Sequence, residues 1–152
     1  MERKLLTLCI LQHEGRFLLG MKKKGMGTGN WNGFGGKVEE GEAIEVAAKR
    51  EMQEESGVIV LDLEEVGVLM FTAPTRPPLE MHIFKSTKYT GTPIESDEMK
   101  PEWFYKDELP FGGMWSSDLY WWPLFLRGKR FTGDFVFDEN DKVISHELTE
   151  VI

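Results

Sequence analysis

Cysteine is nearly absent from this chain. Cys9 is the only one in 152 residues, and it lies inside an apolar run. No disulfide framework exists, and a reducing compartment is expected. Histidine is also scarce. His13, His82 and His146 are scattered, and structural or surface placement is the expectation for each. Basic residues are outnumbered, 18 Lys and Arg against 26 Asp and Glu, for a net charge of −8. That balance excludes a nucleic-acid polymer or an anionic membrane as the main partner, because both need a basic surface. No apolar run approaches the length of a bilayer span. The opening stretch "MERKLLTLCILQ" has no small-residue cleavage site and reads as a strand, not a signal peptide. A cytoplasmic location is expected, with the mitochondrial matrix and the nucleus left open. Repeats and low-complexity segments are missing as well.

What is present is a globular composition: 41% hydrophobic and 29% charged residues, enough for one domain over residues 1–152 with a substantial core. "KLLTLCILQ" and "RFLLGM" flank the turn signal "HEG", so residues 3–21 read as a hairpin. "KKKGMGTGNWNGFGG" is a glycine-rich loop whose backbone can approach a ligand closely. "AIEVAAKREMQEES" places Ile44, Ala47, Ala48 and Met52 at helical spacing, and Gly57 suits a C-cap. "EEVGVLMFTA" and "EMHIFKSTKY" are strand-like, with "TAPTRPP" as their connection. "PFGGMWSSD" leads into the apolar segment "LYWWPLFL". "FTGDFVF" and "KVISHEL" form a closing hairpin around "DENDK". Strands with one or two helices in this order predict an α/β (α+β) sandwich.

The helix is the anomaly. Glutamates 39, 40, 42, 45, 51, 54 and 55 crowd into Gly35–Val58. Glu51, Glu54 and Glu55 stand at i, i+3 and i+4 and share one face, where like charges destabilise an isolated helix. Carboxylates gathered beside a glycine loop are tolerable when divalent cations sit between them. All-oxygen sites of this kind suit Mg²⁺ or Mn²⁺, which also accept substrate phosphates as ligands.

The spacing is more specific than the charge. Gly36, five residues, Glu42, seven residues, then Arg50-Glu51-Met52, any residue, Glu54-Glu55, any residue, Gly57-Val58: this resembles the Nudix box at every specified position. The Nudix family hydrolyses nucleoside diphosphates linked to another group, using divalent metal on a loop–helix–loop within an α/β/α sandwich with a mixed β-sheet. "LLGMKKKGMGTGNWNGFGGKVEEGE", "GTPIESDEMKPEWF", "LPFGGMW" and "YWWPLFL" extend the likeness along nearly the whole chain to the family's animal MutT-type branch. That branch hydrolyses oxidised purine nucleoside triphosphates such as 8-oxo-dGTP and 2-hydroxy-dATP to the monophosphate and pyrophosphate.

The resemblance implies metal ligation by Glu51, Glu54, Glu55, Glu98 and a backbone carbonyl of the Gly35–Gly36 turn. It implies catalysis by the same helix, with Arg50 orienting the glutamates through charged hydrogen bonds. Glu51, Glu54 and Glu98 all remain candidates for the general base. It implies substrate contacts from Lys22, Phe34, Gly35, Gly36 and Lys37. Around the purine it places Thr7, Asn32, Phe71, Leu79, Trp115, Ser116, Ser117 and Asp118. Asn32 suits a base edge because its amide both donates and accepts, and Trp115 offers a face for stacking.

Two positions depart from the family pattern. Met26 stands where the branch has Phe, and "WSSD" puts Ser117 where the branch has the first of two adjacent aspartates. Paired carboxylates raise one pKa, so that one donates to the oxidised base. Ser117 donates and accepts without any such shift, so an altered or broadened base preference is expected. The competing expectations are another Nudix activity, on a modified purine triphosphate, a dinucleoside polyphosphate or ADP-ribose, and a nucleotide-binding module without turnover. The expected partner is a small-molecule nucleotide, and a monomer is expected from the family branch.

Overall fold

The structure is a computed structural model, and it describes residues 2–152. Its organising strand is β1 (Lys4–His13), in which Thr7, Leu8, Cys9, Ile10 and Leu11 are buried in succession. A strand buried on both faces needs a layer on each side. Helix α1 (Ile44–Ser56) supplies one layer and α2 (Asp118–Leu126) the other.

Beyond β1 come β2 (Arg16–Lys22), β3 (Trp31–Asn32), the short ribbon of β4 (Ile59–Val60) with β7 (Tyr89–Thr90), β5 (Glu64–Ala73), β6 (Arg76–Ser86), β8 (Met99–Tyr105), β9 (Arg130–Phe137) and β10 (Val143–Val151). The large sheet runs β10-β9-β5-β6-β1-β2-β3, with β8 added on β2. It is mixed: β1 is parallel to β6 and β5 to β9, while the hairpins are antiparallel. The expected α/β sandwich with a mixed sheet is what forms.

On one face, Ala47, Ala48 and Met52 of α1 are buried, and Met52 joins a cluster with Cys9, Leu11, Leu18, Phe34 and Val58. The helix ends where Gly57, at φ 79°, donates to Gln53 O at 2.9 Å, a left-handed cap that costs glycine little. On the other face, Trp121, Trp122 and Phe125 of α2 pack over Phe17, Phe131 and Phe135. Trp121 stacks on Phe131 at 5.8 Å between centroids. Each such aromatic contributes ~2 kcal/mol or more by burial alone.

Three local features differ from the sequence reading. The β1–β2 hairpin pairs only from Leu11↔Leu18 to His13↔Arg16. The other half of that β1 edge is taken by residues 34–38: Thr7 N donates to Gly36 O at 2.9 Å, Cys9 N to Phe34 O at 2.6 Å, and Val38 N to Leu5 O at 3.0 Å. The sheet therefore splits beside β1, and β2 departs with β3 and β8. Second, the "TAPTRPP" connection shrinks to residues 74–75, because β6 already begins at Arg76. Pro77 and Pro78 are tolerated there since β1 pairs with β6 only from Leu79 onward and the β5 ladder is interrupted between Ala73↔Arg76 and Phe71↔Leu79. Third, β8 (MKPEWFY) is a full strand on β2, unread in the sequence because Pro101 and two charges interrupt its alternation.

Candidate active site

The wedge opened by the split sheet is a cleft of about 240 Å³. The segment at 34–38 can lie this close to β1 only because Gly35 has no Cβ. A methyl there would overlap the Thr7 carbonyl. Gly36 plays the same part toward α1, where a Cβ would come within 2.7 Å of the Glu51 carboxyl.

That approach brings Glu55 inside. It is 2% exposed, lines the cleft, and accepts from Gly35 N at 2.9 Å. Burial pushes its carboxyl up to about 8. That value already includes the Gly35 amide and the Lys22 charge, which lower it, and the Glu51 and Glu98 charges, which raise it. Burial also raises Glu51, against the hydrogen bond from Arg50, with Glu54 and Glu98 adding to the rise. Burial is the larger cause for both, and neighbouring carboxylates that discourage one another's ionisation are groups a bound cation stabilises.

Arg50 organises the group. Its Nε donates to Glu42 at 2.8 Å and its Nη2 to the other oxygen of Glu42 at 3.0 Å and to Lys37 O at 3.1 Å. Its Nη1 donates to Glu51 at 3.0 Å and reaches Glu54 at 3.3 Å. These are charged hydrogen bonds that tie three glutamates of the motif to one side chain. The carboxylates do not, however, form a ready ligand shell: among the described residues no three His, Cys, Asp or Glu side chains stand together closely enough to hold an ion. Glu54 is 58% exposed against Arg50, and Glu98 lies on an exposed stretch whose backbone oxygen accepts from Lys23 N. The donor set still fits a hard divalent cation, being all oxygen and self-repelling beside a glycine turn. Of the two turn carbonyls, Gly36 O is committed to Thr7 N. Gly35 O makes no hydrogen bond among the described residues and is the one left for an ion.

At the far end the cleft is aromatic. Phe71, Leu79, Trp115, Phe137 and Trp121 line the cleft, with Thr7, Asn32, Arg76, Ser117 and Asp118 among its polar groups. Thr7 Oγ1 is buried with no partner among the described residues. Such a group costs about 1–3 kcal/mol unless a ligand or water satisfies it. Asn32 Oδ1 accepts from Gly33 N at 2.9 Å, leaving its amide nitrogen for a ligand. Asp118 accepts from Trp121 Nε1 at 3.0 Å and Trp115 N at 3.2 Å, yet burial still pushes its carboxyl up to about 7. Ser117, 2% exposed, also lines the cleft.

Three expected contacts fall elsewhere. Phe34 is fully buried in the core beneath α1, against Gly20; its strand position turns it away while its glycine neighbours face the cleft. Lys37 is exposed and only its carbonyl is engaged, by Arg50. Ser116 accepts from Val143 N at 3.1 Å and donates to Asp141 O at 3.3 Å, tying the β9–β10 turn. Conversely, Met81, Met99, Phe137 and Arg76 line the cleft without having been read as site residues. Phe137 lies in the closing hairpin, and Arg76 lies in what reads as a connection, so neither carries a local signal.

A family profile for the NUDIX domain matches residues 2–125. The chain belongs to the Nudix family. It is 51% identical to the zebrafish (Danio rerio) oxidized purine nucleoside triphosphate hydrolase over 149 residues, 97% of this chain and 96% of that protein. It is 50% identical to the mouse (Mus musculus) protein of the same name, over the same shares of the two chains. Among solved structures, the MutT protein of Bacillus halodurans superposes with a TM-score of 0.86 at 29% identity, covering 95% of this chain and 97% of that one. Nudix hydrolases generally need divalent metal ions, and this Nudix chain carries the box across the loop at 36–43, helix α1 and the Gly57 cap.

Proposed function

We propose that this Nudix hydrolase cleaves oxidised purine nucleoside triphosphates, 8-oxo-dGTP and 2-hydroxy-dATP, to the monophosphate and pyrophosphate, with magnesium as its ion and manganese as a substitute. One observation carries the reading. A single cleft is lined both by the box carboxylate Glu55 and by an aromatic group, Phe71, Trp115, Trp121 and Phe137, that encloses the buried Asp118. Its roughly 240 Å³, below the usual range of about 300–1,000 Å³ for drug-sized ligands, suits a single base.

In this reading Glu51, Glu54, Glu55, Glu98 and Gly35 O would hold the ion, which would supply charge neutralisation for the phosphates and activation of the attacking water. The chain's own residues do the rest. Arg50 fixes the carboxylate orientations, so that little reorganisation is left for the reaction. Lys22, which also lines the cleft, faces the phosphates. Glu51, Glu54 and Glu98 are the carboxylates available to take the water's proton. Phe71 and Trp115 sandwich the base, while Asn32, Ser117, Asp118 and Thr7 read its edge. Positioning of this kind supplies much of the barrier reduction in an in-line displacement.

The test is turnover across 8-oxo-dGTP, 2-hydroxy-dATP, dGTP, dATP, ADP-ribose and a diadenosine polyphosphate with magnesium. Products are separated chromatographically, and labelled water locates the attacked phosphorus. Preference for the oxidised triphosphates with pyrophosphate release is the expected result. Preference for ADP-ribose or the dinucleotide overturns the reading.

A further inference from the structure

The aromatic end of the cleft holds a cation with spare donors. Arg76, at the first residue of β6, lines the cleft with its side chain 17% exposed. Its guanidinium carbon stands 5.9 Å from the Trp115 ring centroid and 5.6 Å from that of Phe137. Nη1 pairs with Asp141 in the β9–β10 turn, and Ser116 ties that turn through Asp141 O and Val143 N. Two turns and two rings thus hold the guanidinium in place. Of its five N–H groups, only those on Nη1 have a hydrogen-bond partner among the described residues.

Its position bears on which part of a nucleotide it meets. Arg76 pairs with Ala73 at the β5–β6 turn. In the sheet order, β6 and β1 lie between β5 and the 34–38 segment beside Glu55. Lys22 is the other cation lining the cleft, and it acts on Glu55. Arg76 therefore stands beside the Trp115 and Phe137 rings, while Lys22 stands by Glu55.

We infer that Arg76 is a specificity-determining residue that donates hydrogen bonds to a ring carbonyl of the bound purine. The inference rests on the purine-nucleotide reading above and adds a selection within it. A guanidinium has donors only, in a planar fork. Beside an aromatic wall it rewards a coplanar oxygen acceptor and is opposed by an exocyclic amino group, whose own N–H bonds point back at it. Purines with a keto oxygen are favoured over adenine. A site built to hydrogen-bond one group discriminates against the analogue lacking it far more strongly than an apolar pocket does.

The test avoids metal and turnover. Calorimetry measures the Kd of 8-oxo-dGMP, dGMP and dAMP for the parent, Arg76→Ala and Arg76→Lys, with circular dichroism and thermal midpoints to establish folding. A hydrogen bond to a charged group corresponds to roughly tenfold or more in Kd. Arg76→Ala weakens the two keto nucleotides by about that factor and dAMP by less than about twofold. Arg76→Lys, which keeps the charge and loses the fork, falls between, and it carries the test if the alanine variant does not fold. Equal loss for all three nucleotides would mean that Arg76 merely props Trp115, and no loss would mean that it touches nothing; either overturns the inference alone. A folded parent that binds none of the three overturns the purine reading with it.

Discussion

Asp118 sits 4% exposed between an indole N–H and a backbone amide, and burial still wins over both hydrogen bonds. Its folded-state value of about 7 lies above the ordinary 3.8. The folded protein therefore binds this proton more tightly than the unfolded chain, and ionisation costs stability. The cost starts near pH 4 and is complete slightly above pH 7, in all roughly 4 kcal/mol at 1.36 kcal/mol per unit. Asp118→Asn removes it. Urea unfolding at pH 5 and pH 8 is expected to show the parent losing stability relative to Asp118→Asn as pH rises; parallel behaviour of the two would exclude a raised value. The neighbouring Ser117, equally buried, is where a second carboxyl would couple. Ser117→Asp is expected to keep one proton on the pair at neutral pH. It should change the ratio of kcat/KM between 8-oxo-dGTP and 2-hydroxy-dATP by about threefold or more, and an unchanged ranking of the oxidised and normal triphosphates would show that position 117 does not govern base choice.

At the scale of elements, the segment at 34–38 joins fold to site. It completes the β1 edge that β2 abandons, and it delivers the Gly35 amide to Glu55. Gly35→Ala forces a methyl onto the Thr7 carbonyl, with backbone on both sides and no flexible side chain to yield. A loss of ~3 kcal/mol is expected, at the upper end of overpacking effects, and activity falls with it. A thermal midpoint within about 1 °C of the parent would show that this segment does not need the close approach. The elements legible in sequence were those with local grammar: α1 with its apolar spacing and Gly57 cap, the β5 and β9 alternations, and the β9–β10 hairpin. The box named the carboxylate end for the same reason, since its residues lie within one loop and helix. The split at β1 was not legible, because nothing in "KLLTLCILQH" says that its two halves take different partners. Phe34 was misread because a motif gives proximity but not facing. Arg76 and Phe137 escaped because they reach the cleft only through sheet order, which brings β5, β6 and β9 together from distant parts of the chain.

Over the whole molecule, a net charge of −8 works against compaction, and the repulsion is sharpest where Glu51, Glu54, Glu55 and Glu98 act on one another. A divalent ion bound there relieves that repulsion only in the folded state, so magnesium should stabilise the protein by mass action. At a hundred times its Kd the gain is about 2.7 kcal/mol, or roughly 5–10 °C in midpoint for a chain of this size. The pH dependence has a definite sign. Without metal, Glu55 has a folded value of about 8 against an ordinary 4.5. Its ionisation thus costs stability, progressively from about pH 4.5 to pH 8. Metal binding requires the ionised carboxylate, so the magnesium-induced rise should be small at pH 6, grow through pH 8 and level above it. Differential scanning calorimetry with chelator, then with magnesium, against sodium chloride at equal ionic strength, separates specific binding from screening. Glu55→Gln should flatten both the metal response and its pH dependence while leaving the fold intact. If magnesium raises the parent's midpoint no more than sodium chloride does, α1 holds no ion, and its glutamates are ordered by Arg50 alone.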